Sequence, residues 1–250
     1  MNLHVPVRHY CRYPFEDPAG HVEGTEELAP DRTALVVVDV YGLGFDEGAA
    51  VPESPPLFLR RLHALQSEMM RDRIRPAIDA ARAAGLPVVY VENEWKASCW
   101  QASEFAGLVR RTENPGDFDD VYVGTEYNHY SHVVAPRPDD IIVQKTMYDG
   151  FFETTLDTVL RNLGAKNLVC LGFTADICLL NTVIGAMYRN YRVIVLRDCT
   201  LAAEFADTVE DLEMTRLSVR YYEAMVGFTS TSDQFIGACG AVSAATGAVS

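Results

Sequence analysis

Short runs of β-branched and other apolar residues alternate along the chain with longer stretches in which apolar side chains recur at helical spacing. The short runs predict strands at 34–39, 87–92, 140–145, 167–172, 192–197 and 223–228. The longer stretches predict helices at 57–84, 153–163, 177–189 and 205–222, and a closing helix that begins at 233–238. Uninterrupted apolar runs are typical of strands buried on both faces of a parallel sheet. The pattern therefore predicts a three-layer, doubly wound α/β fold, with a six-stranded parallel sheet and helices on both faces.

The segments outside this alternation differ in character. Residues 1–30 are rich in Pro, Gly, His and acids without periodicity, so we expect an extended N-terminal arm that lies on the domain or on a neighbouring subunit. No linker divides the rest, and residues 31–250 are predicted to form a single domain. Pro76 should kink or split the helix at 57–84. The segment 93–139 is irregular, aromatic and longer than a connection needs, so it either covers a pocket or serves packing and subunit contacts.

The charge balance excludes two classes of partner. The chain has 21 Lys and Arg against 35 Asp and Glu, a formal net charge of −14, which repels nucleic acid and anionic lipid. No run approaches the roughly 20 apolar residues that span a bilayer, and the N-terminus lacks the pattern of a signal peptide. We therefore expect a cytoplasmic protein that binds a small molecule. The cysteines are scattered without a CxxC motif, at Cys11, Cys99, Cys170, Cys178, Cys199 and Cys239.

Cys178 is the candidate nucleophile, because it lies where the strand at 167–172 is followed by a helix. Backbone N–H groups and the positive end of a helix lower the pKa of a thiol and can stabilise an oxyanion. Asp39 and Lys145 also fall at the ends of predicted strands, where ligands gather in such sheets. A carboxylate can take the thiol proton and an ammonium can hold the thiolate. The alternative interpretation is that Cys178 fills the core, Asp39 caps a turn and Lys145 is solvated.

Three blocks of sequence resemble the signatures of the isochorismatase-like cysteine hydrolases. They are Val36-Val-Val-Asp39, the run 145–156, and Gly172-Phe-Thr-Ala-Asp-Ile-Cys178, and they occur in the family's order. The similarity extends from about residue 33 to residue 228. The resemblance implies a homodimer or homotetramer and an Asp-Lys-Cys triad. In that triad Asp39 is the general base, Lys145 stabilises the thiolate, and Cys178 is the nucleophile.

The resemblance also implies an oxyanion hole. The family tends to have a cis peptide a few residues before the nucleophile, which here joins Phe173 to Thr174, and the alternative is an ordinary trans turn. The N–H groups of Thr174 and Cys178 would then donate to the substrate oxygen. The implied reaction is attack of the thiolate on an amide or ureido carbonyl, protonation of the leaving nitrogen by Asp39, and hydrolysis of the thioester or thiocarbamate.

A metal site is not expected. Nicotinamidases of the same superfamily hold zinc with histidines that follow the second strand, but the run 91–96 contains none. His129 and His132 lie three residues apart in an aromatic segment, which is weak evidence for a metal and favours packed or surface histidines. We therefore predict no catalytic metal and no cofactor.

The stretches 92–95 and 148–157 resemble ureidoacrylate amidohydrolases and biuret and triuret hydrolases, which cleave terminal ureido groups. The candidates for substrate binding are Asn93, Trp95, Tyr148, Phe151 and Gln234. For each aromatic candidate, a place in the core is an equal alternative. After Asp39 the family commonly has Met-Gln, whereas this chain has Val40-Tyr41, which alters the pocket wall beside the base.

The expected function is hydrolysis of a C–N bond in a small linear ureide or amide, with release of ammonia. Two alternatives stay open. One is an amidase that acts on another small amide, such as an N-carbamoyl amino acid or nicotinamide. The other is a non-catalytic binding protein that has the same fold.

Overall fold

A mixed sheet of eight strands runs through the part of the chain that the computed structural model describes, which is residues 1–17, 19–41, 62–94, 102–112, 130 and 132–247. The strands are β1 (Leu3–Cys11), β2 (Gly20–Leu28), β3 (Thr33–Val38), β4 (Val88–Asn93), β5 (Ile141–Lys145), β6 (Asn167–Gly172), β7 (Arg192–Leu196) and β8 (Phe228–Ser230). Their order across the sheet is β2-β1-β8-β7-β6-β3-β4-β5.

The strands from β8 to β5 form the predicted parallel sheet, and its centre explains the sequence pattern. β3 lies between β4 and β6, and every residue from Thr33 to Val38 is buried. Successive side chains of a strand point to opposite faces. Leu35 and Val37 accordingly lie in one apolar cluster, and Val36 and Val38 lie in the other. The predicted α/β fold class is therefore confirmed.

Helices cover both faces of the sheet. They are α1 (His63–Met69), α2 (Arg75–Ala83), α3 (Glu104–Thr112), α4 (Leu156–Asn162), α5 (Cys178–Tyr188), α6 (Glu213–Tyr221) and α7 (Ser232–Gly247). Residues from α1, α2 and α7 share one apolar cluster, and residues from α4 and α5 share the other. A π-helical turn, Met70–Ile74, separates α1 from α2, and Pro76 lies in the first turn of α2. The predicted helix at 57–84 is thus divided just before its proline, and residues 57–61 lie outside the described part.

The N-terminal residues differ from the prediction. Instead of an extended arm, they form the antiparallel hairpin of β1 and β2, which joins the sheet because β1 pairs with β8. Leu3, Val5 and Leu28 are fully buried in the core that α2 and α7 also line. The alternation of apolar and polar residues in β1 is the physical reason, since it allows one face of the strand to be buried. The sheet therefore has eight strands where six were predicted.

The predicted strand at 223–228 is wrong. Tyr222–Val226 is a π-helical turn at the end of α6, and the strand is the shorter β8. The buried carboxylate of Glu223 explains why this segment is a helical turn and not a strand. The fully buried carboxylate of Glu223 pairs with Arg8 at 2.6 Å and accepts a hydrogen bond from Thr229 at 2.8 Å. Burial raises the pKa of Glu223, but hydrogen bonds from Arg8, Thr229 and His21 outweigh burial, and the net direction is downward.

No helix in the described ranges is long and apolar enough to cross a membrane.

Candidate active site

Asp39 comes directly after β3, at the carboxyl edge of the sheet. Its φ of 48° lies in the left-handed region, which aspartate tolerates better than most residues. Its backbone N–H donates to Val91 of the neighbouring strand β4 over 3.0 Å, so the turn is tied to the sheet. Only 8% of the residue is exposed. A buried carboxylate at this position requires a partner.

Lys145 supplies that partner from two strands away. It ends β5, and its side chain crosses above β4, which separates β5 from β3 by about 10 Å. Its Nζ lies 2.9 Å from Oδ2 of Asp39, and Lys145 is 1% exposed. Asn93, opposite Lys145 in the β4–β5 register, accepts a hydrogen bond from Nζ through its side-chain oxygen. The ammonium is therefore fixed by a charge and by an amide.

Cys178 contacts the same ammonium, that of Lys145, from the end of a third strand. It is the first residue of α5, after the turn that follows β6. A Cβ at Gly172, where φ is +120°, would lie 2.0 Å from the backbone oxygen of Val38. Only glycine therefore allows β6 to approach β3 where the turn begins. Lys145 Nζ donates to Cys178 Sγ over 3.4 Å, so the structure brings the three predicted triad residues together as expected.

The electrostatics of this group correct one expectation. The helix N-terminus predicted a lowered pKa for the Cys178 thiol. Instead, burial and then the negative charge of Asp39 raise this pKa, although Lys145 acts in the opposite direction. For Lys145, burial lowers the pKa, but the interactions with Asp39 and Cys178 outweigh burial and the net direction is upward. The environment therefore favours the protonated thiol and the charged ammonium.

The turn between β6 and α5 contains the two residues that are predicted to form the oxyanion hole. The Phe173–Thr174 peptide is cis, as the family resemblance implied. In this turn the N–H of Ala175 donates to the backbone oxygen of Leu201. The backbone oxygen of Thr174 accepts from the N–H groups of Ile177 and Leu179. Within the described part of the chain, the N–H groups of Thr174 and Cys178 donate to no protein acceptor. Both are therefore free to donate, and their place in an oxyanion hole stays a prediction.

Tyr41 is a site residue that was missed. Its hydroxyl donates to Oδ1 of Asp39 over 2.8 Å and accepts from the N–H of Asn93. The sequence indicated only that Tyr41 replaces the Gln that related sequences commonly have. A tyrosine near the end of a buried strand is usually interpreted as a packing residue, unless the position of its hydroxyl is known.

The predicted substrate-binding residues Asn93, Tyr148 and Trp95 have different outcomes. Asn93 contacts Lys145 and Tyr41, so its bonds hold the triad. Tyr148, three residues beyond Lys145, packs edge-to-face with Phe105 of α3 at a ring distance of 5.3 Å. The contact places α3, which belongs to the segment predicted to cover a pocket, against Tyr148. Trp95 lies outside the described residues.

Phe151 and Gln234 are not brought to the triad. Phe151 stacks on Tyr191 with ring centroids 6.0 Å apart and meets Gly185, which is seven residues along α5 from Cys178, or about 10 Å. Gln234 accepts from the N–H of Thr231 over 3.0 Å. Gln234 follows β8, which is three strands from β3, or about 14 Å. Phe151 packs in the core and Gln234 caps α7, so their predicted contact with substrate has no support from the geometry.

The described residues include no group of three or more His, Cys, Asp and Glu side chains that is arranged to hold a metal ion. His132 is described, whereas His129 falls outside the described ranges. The expectation of a metal-free site therefore stays a prediction.

Asp39→Asn should separate the thiol's acidity from turnover. The variant removes a negative charge that raises the Cys178 pKa and keeps the ammonium that lowers it. We therefore expect the pH midpoint for alkylation of Cys178 by iodoacetamide to move to lower pH, whereas turnover falls about 10²-fold to 10⁴-fold because the base is lost. Peptide mass spectrometry follows the modification of Cys178 alone. A midpoint that stays in place or moves to higher pH would show that the negative charge of Asp39 does not raise the pKa of Cys178.

Comparison with known sequences identifies the family of the chain and several relatives. The family model of the isochorismatase domain matches residues 33–233. Ureidoacrylate amidohydrolase RutB of Agrobacterium fabrum is 30% identical in an alignment that covers 87% of this chain and 93% of the relative. The protein of the same name from Stutzerimonas stutzeri is 29% identical in an alignment that covers 94% of each chain.

Solved structures show the same fold. A cysteine hydrolase from Pseudomonas syringae pv. phaseolicola superposes with a TM-score of 0.70 at 23% identity, covering 86% of this chain and 95% of its own. N-carbamoylsarcosine amidase from Thermoplasma acidophilum superposes with a TM-score of 0.57 at 27% identity, covering 81% of this chain and 97% of its own. With a family match that spans most of the chain and a triad at the carboxyl edge of the sheet, the protein belongs to the isochorismatase family.

Proposed function

We propose that this protein is a cysteine-dependent amidohydrolase that cleaves a C–N bond in a small linear ureide or amide and releases ammonia. The observation that carries the proposal is the convergence of three side chains from separate strand ends. Lys145 Nζ lies within 2.9 Å of Asp39 Oδ2 and within 3.4 Å of Cys178 Sγ. A nucleophile, a base and a cation in mutual contact are the components that covalent hydrolysis of an amide needs.

The first step transfers a proton within the triad. Because burial and the charge of Asp39 raise the pKa of Cys178, the thiolate forms only as the proton moves to Asp39. That transfer neutralises the carboxylate, and Lys145, which stays charged, then pairs with the thiolate. The negative charge thus passes from oxygen to sulfur while the ammonium remains in contact with both.

The second step forms and breaks the covalent bond to carbon. Sγ attacks the carbonyl carbon, and its oxygen takes up negative charge opposite the N–H groups of Thr174 and Cys178. The protonated Asp39 gives its proton to the nitrogen of the breaking C–N bond, and ammonia leaves. A thioester remains when the substrate is an amide, and a thiocarbamate when it is a ureide.

Water completes the cycle. Asp39, again a carboxylate, takes a proton from a water molecule, whose oxygen attacks the thioester or thiocarbamate carbon. The C–S bond breaks, and the proton held by Asp39 returns to sulfur. With a ureide the product is an N-substituted carbamic acid, and with an amide it is a carboxylic acid.

A terminal ureido group is the substrate class that the relatives favour. The curated relatives at about 30% identity are named for ureidoacrylate, which carries such a group. An N-carbamoyl amino acid is the second candidate, since the superposed amidase at 27% identity is named for N-carbamoylsarcosine. The two classes share an NH₂–C(=O)–N unit, and the triad's chemistry on that unit is the same.

Ammonia release across a substrate panel tests the proposal. The panel contains ureidoacrylate, biuret, triuret, N-carbamoyl amino acids and nicotinamide, with Cys178→Ala as the blank. We expect release from one or more of the ureides, because the attacked unit is common to them, and little from nicotinamide. Trapping the intermediate by acid quench should give a mass increase on the peptide that contains Cys178. Turnover of no panel member, or equal turnover by the blank, would refute the proposal.

A further inference from the structure

The hydroxyl of Tyr41 contacts the carboxylate on which the proposed mechanism depends. It donates to Oδ1 of Asp39 over 2.8 Å and accepts a hydrogen bond from the backbone N–H of Asn93. An N–H can only donate, and a phenol has one hydrogen, so the direction of both bonds is fixed. Burial, followed by the charge of Asp39, raises the pKa of Tyr41 well above its ordinary value. Tyr41 therefore keeps its proton and is always the donor.

This hydrogen bond gives the two oxygens of Asp39 different roles. Oδ1 is occupied by Tyr41. Oδ2 lies 2.9 Å from Lys145 Nζ, but it accepts no well-aligned hydrogen bond from the described residues. Nζ also lies 3.4 Å from Cys178 Sγ, so the ammonium that contacts Oδ2 contacts the thiol as well. Oδ2 thus has a lone pair free for the thiol proton.

Asn93 connects the base and the cation. Its N–H binds the hydroxyl of Tyr41, and its side-chain oxygen accepts from Lys145 Nζ. Asn93 is the last residue of β4 and pairs with Lys145 of β5, so its backbone is held by the sheet. One rigid point of the sheet therefore sets the position of Lys145 directly and that of Asp39 through Tyr41.

Packing fixes the ring of Tyr41 and supplies a matched control. The residue is 9% exposed, and its ring lies 5.9 Å from that of Tyr130. Tyr130 also packs edge-to-face on Tyr90 at 5.5 Å, and its hydroxyl donates to Glu92 over 2.7 Å. Tyr130 is thus a second tyrosine of the same cluster, and the hydrogen bond of its hydroxyl goes to Glu92 and not to the triad.

We infer that Tyr41 is a positioning residue that holds Asp39 so that Oδ2 receives the proton of Cys178. The inference rests on the proposed function and adds a member to the proton-transfer machinery. Loss of the hydroxyl has two opposite consequences. The ionised carboxylate loses a donor, so Asp39 accepts the thiol proton more readily. The carboxyl group also loses its fixed orientation and becomes a weaker acid toward the leaving nitrogen.

Tyr41→Phe tests the inference with two readouts. We expect kcat on the best panel substrate to fall about 10-fold to 100-fold, with little change in KM, because a misplaced base slows the chemical steps. The acidic limb of the pH profile of kcat/KM should move to higher pH. The rate at which iodoacetamide alkylates Cys178 near neutral pH should rise, since more of the thiol is ionised. A 4-aminophenylalanine at position 41 restores a donor on the same ring and should recover part of the turnover.

Tyr130→Phe is the control, and it should leave both readouts within about twofold of the wild-type values, a change of less than about 0.5 kcal/mol. A purely structural role for Tyr41 would lower turnover and alkylation together, along with the melting temperature, and would overturn the inference. Unchanged turnover in Tyr41→Phe, or an equal loss in Tyr130→Phe, would also overturn it. If the wild type hydrolyses no panel member, the proposed function fails, while the alkylation readout still decides the role of Tyr41.

Discussion

Cys178→Ala is expected to abolish turnover, with a loss of about 10⁴-fold or more in kcat, because the group that forms the covalent intermediate is removed. The fold should be retained. Cys178 is partly exposed at the start of α5, and removing its sulfur creates no large cavity in the core. Substrate affinity measured by calorimetry should also persist, since Thr174 and the pocket walls are unchanged. The variant therefore separates binding from chemistry.

Cys11→Ala is the matched control for this variant. Cys11 is also a free, partly exposed cysteine, but it ends β1 at the edge hairpin, and its thiol contacts the backbone oxygen of Tyr13. We expect its kcat to equal that of the wild type. If Cys178→Ala keeps more than about one-hundredth of the wild-type rate while Cys11→Ala is fully active, covalent catalysis by Cys178 is excluded.

The placement of the triad followed from the sequence because it depends on topology alone. Asp39, Lys145 and Cys178 each come at or after the end of an apolar run, and the carboxyl ends of parallel strands meet at one edge of the sheet. This prediction required neither the distances between the three side chains nor their rotamers. The same reasoning holds for the central strand β3, whose burial on both faces is visible as a continuous apolar run.

The contacts around the triad did not follow, because they join elements that are distant in sequence. The hydroxyl of Tyr41 meets the backbone of Asn93, 52 positions away, and hydrophobic periodicity carries no information on such a pair. Gln234 and Phe151 were assigned to the pocket by residue type and resemblance, but the strand order places the first three strands away from β3. Phe151 turns instead toward Tyr191 and Arg189.

The edge of the sheet was missed for a different reason. The β1–β2 hairpin was predicted as an arm since its charged and small residues obscure the short apolar alternation of Leu3, Val5 and Val7. Its attachment depends on Glu223, a fully buried carboxylate that binds Arg8 and His21 of the hairpin. An acid at the start of a predicted strand looks solvent-exposed in the sequence, so only the fold shows that Glu223 is an anchor.

Lys145→Met is expected to destabilise the protein and inactivate it. The ammonium is fully buried and pairs with a carboxylate that is 8% exposed, so its removal leaves the charge of Asp39 without a counter-charge. Breaking a buried ion pair from one side costs about 3–5 kcal/mol, and we expect a loss of that size in the free energy of unfolding measured with urea near neutral pH. Turnover should fall with it, because the thiolate loses its cation.

The double variant Asp39→Asn with Lys145→Met separates these two effects. Removing both charges relieves the unpaired carboxylate, so most of the lost stability should return, since replacing a whole buried ion pair by neutral groups is often close to neutral. Turnover should stay absent because the base and the cation are both missing. Stability losses that simply add would mean that the 2.9 Å contact contributes nothing to folding. Recovery of activity along with stability would mean that neither charge takes part in the chemistry. Cys178 would then react without help from Asp39 or Lys145.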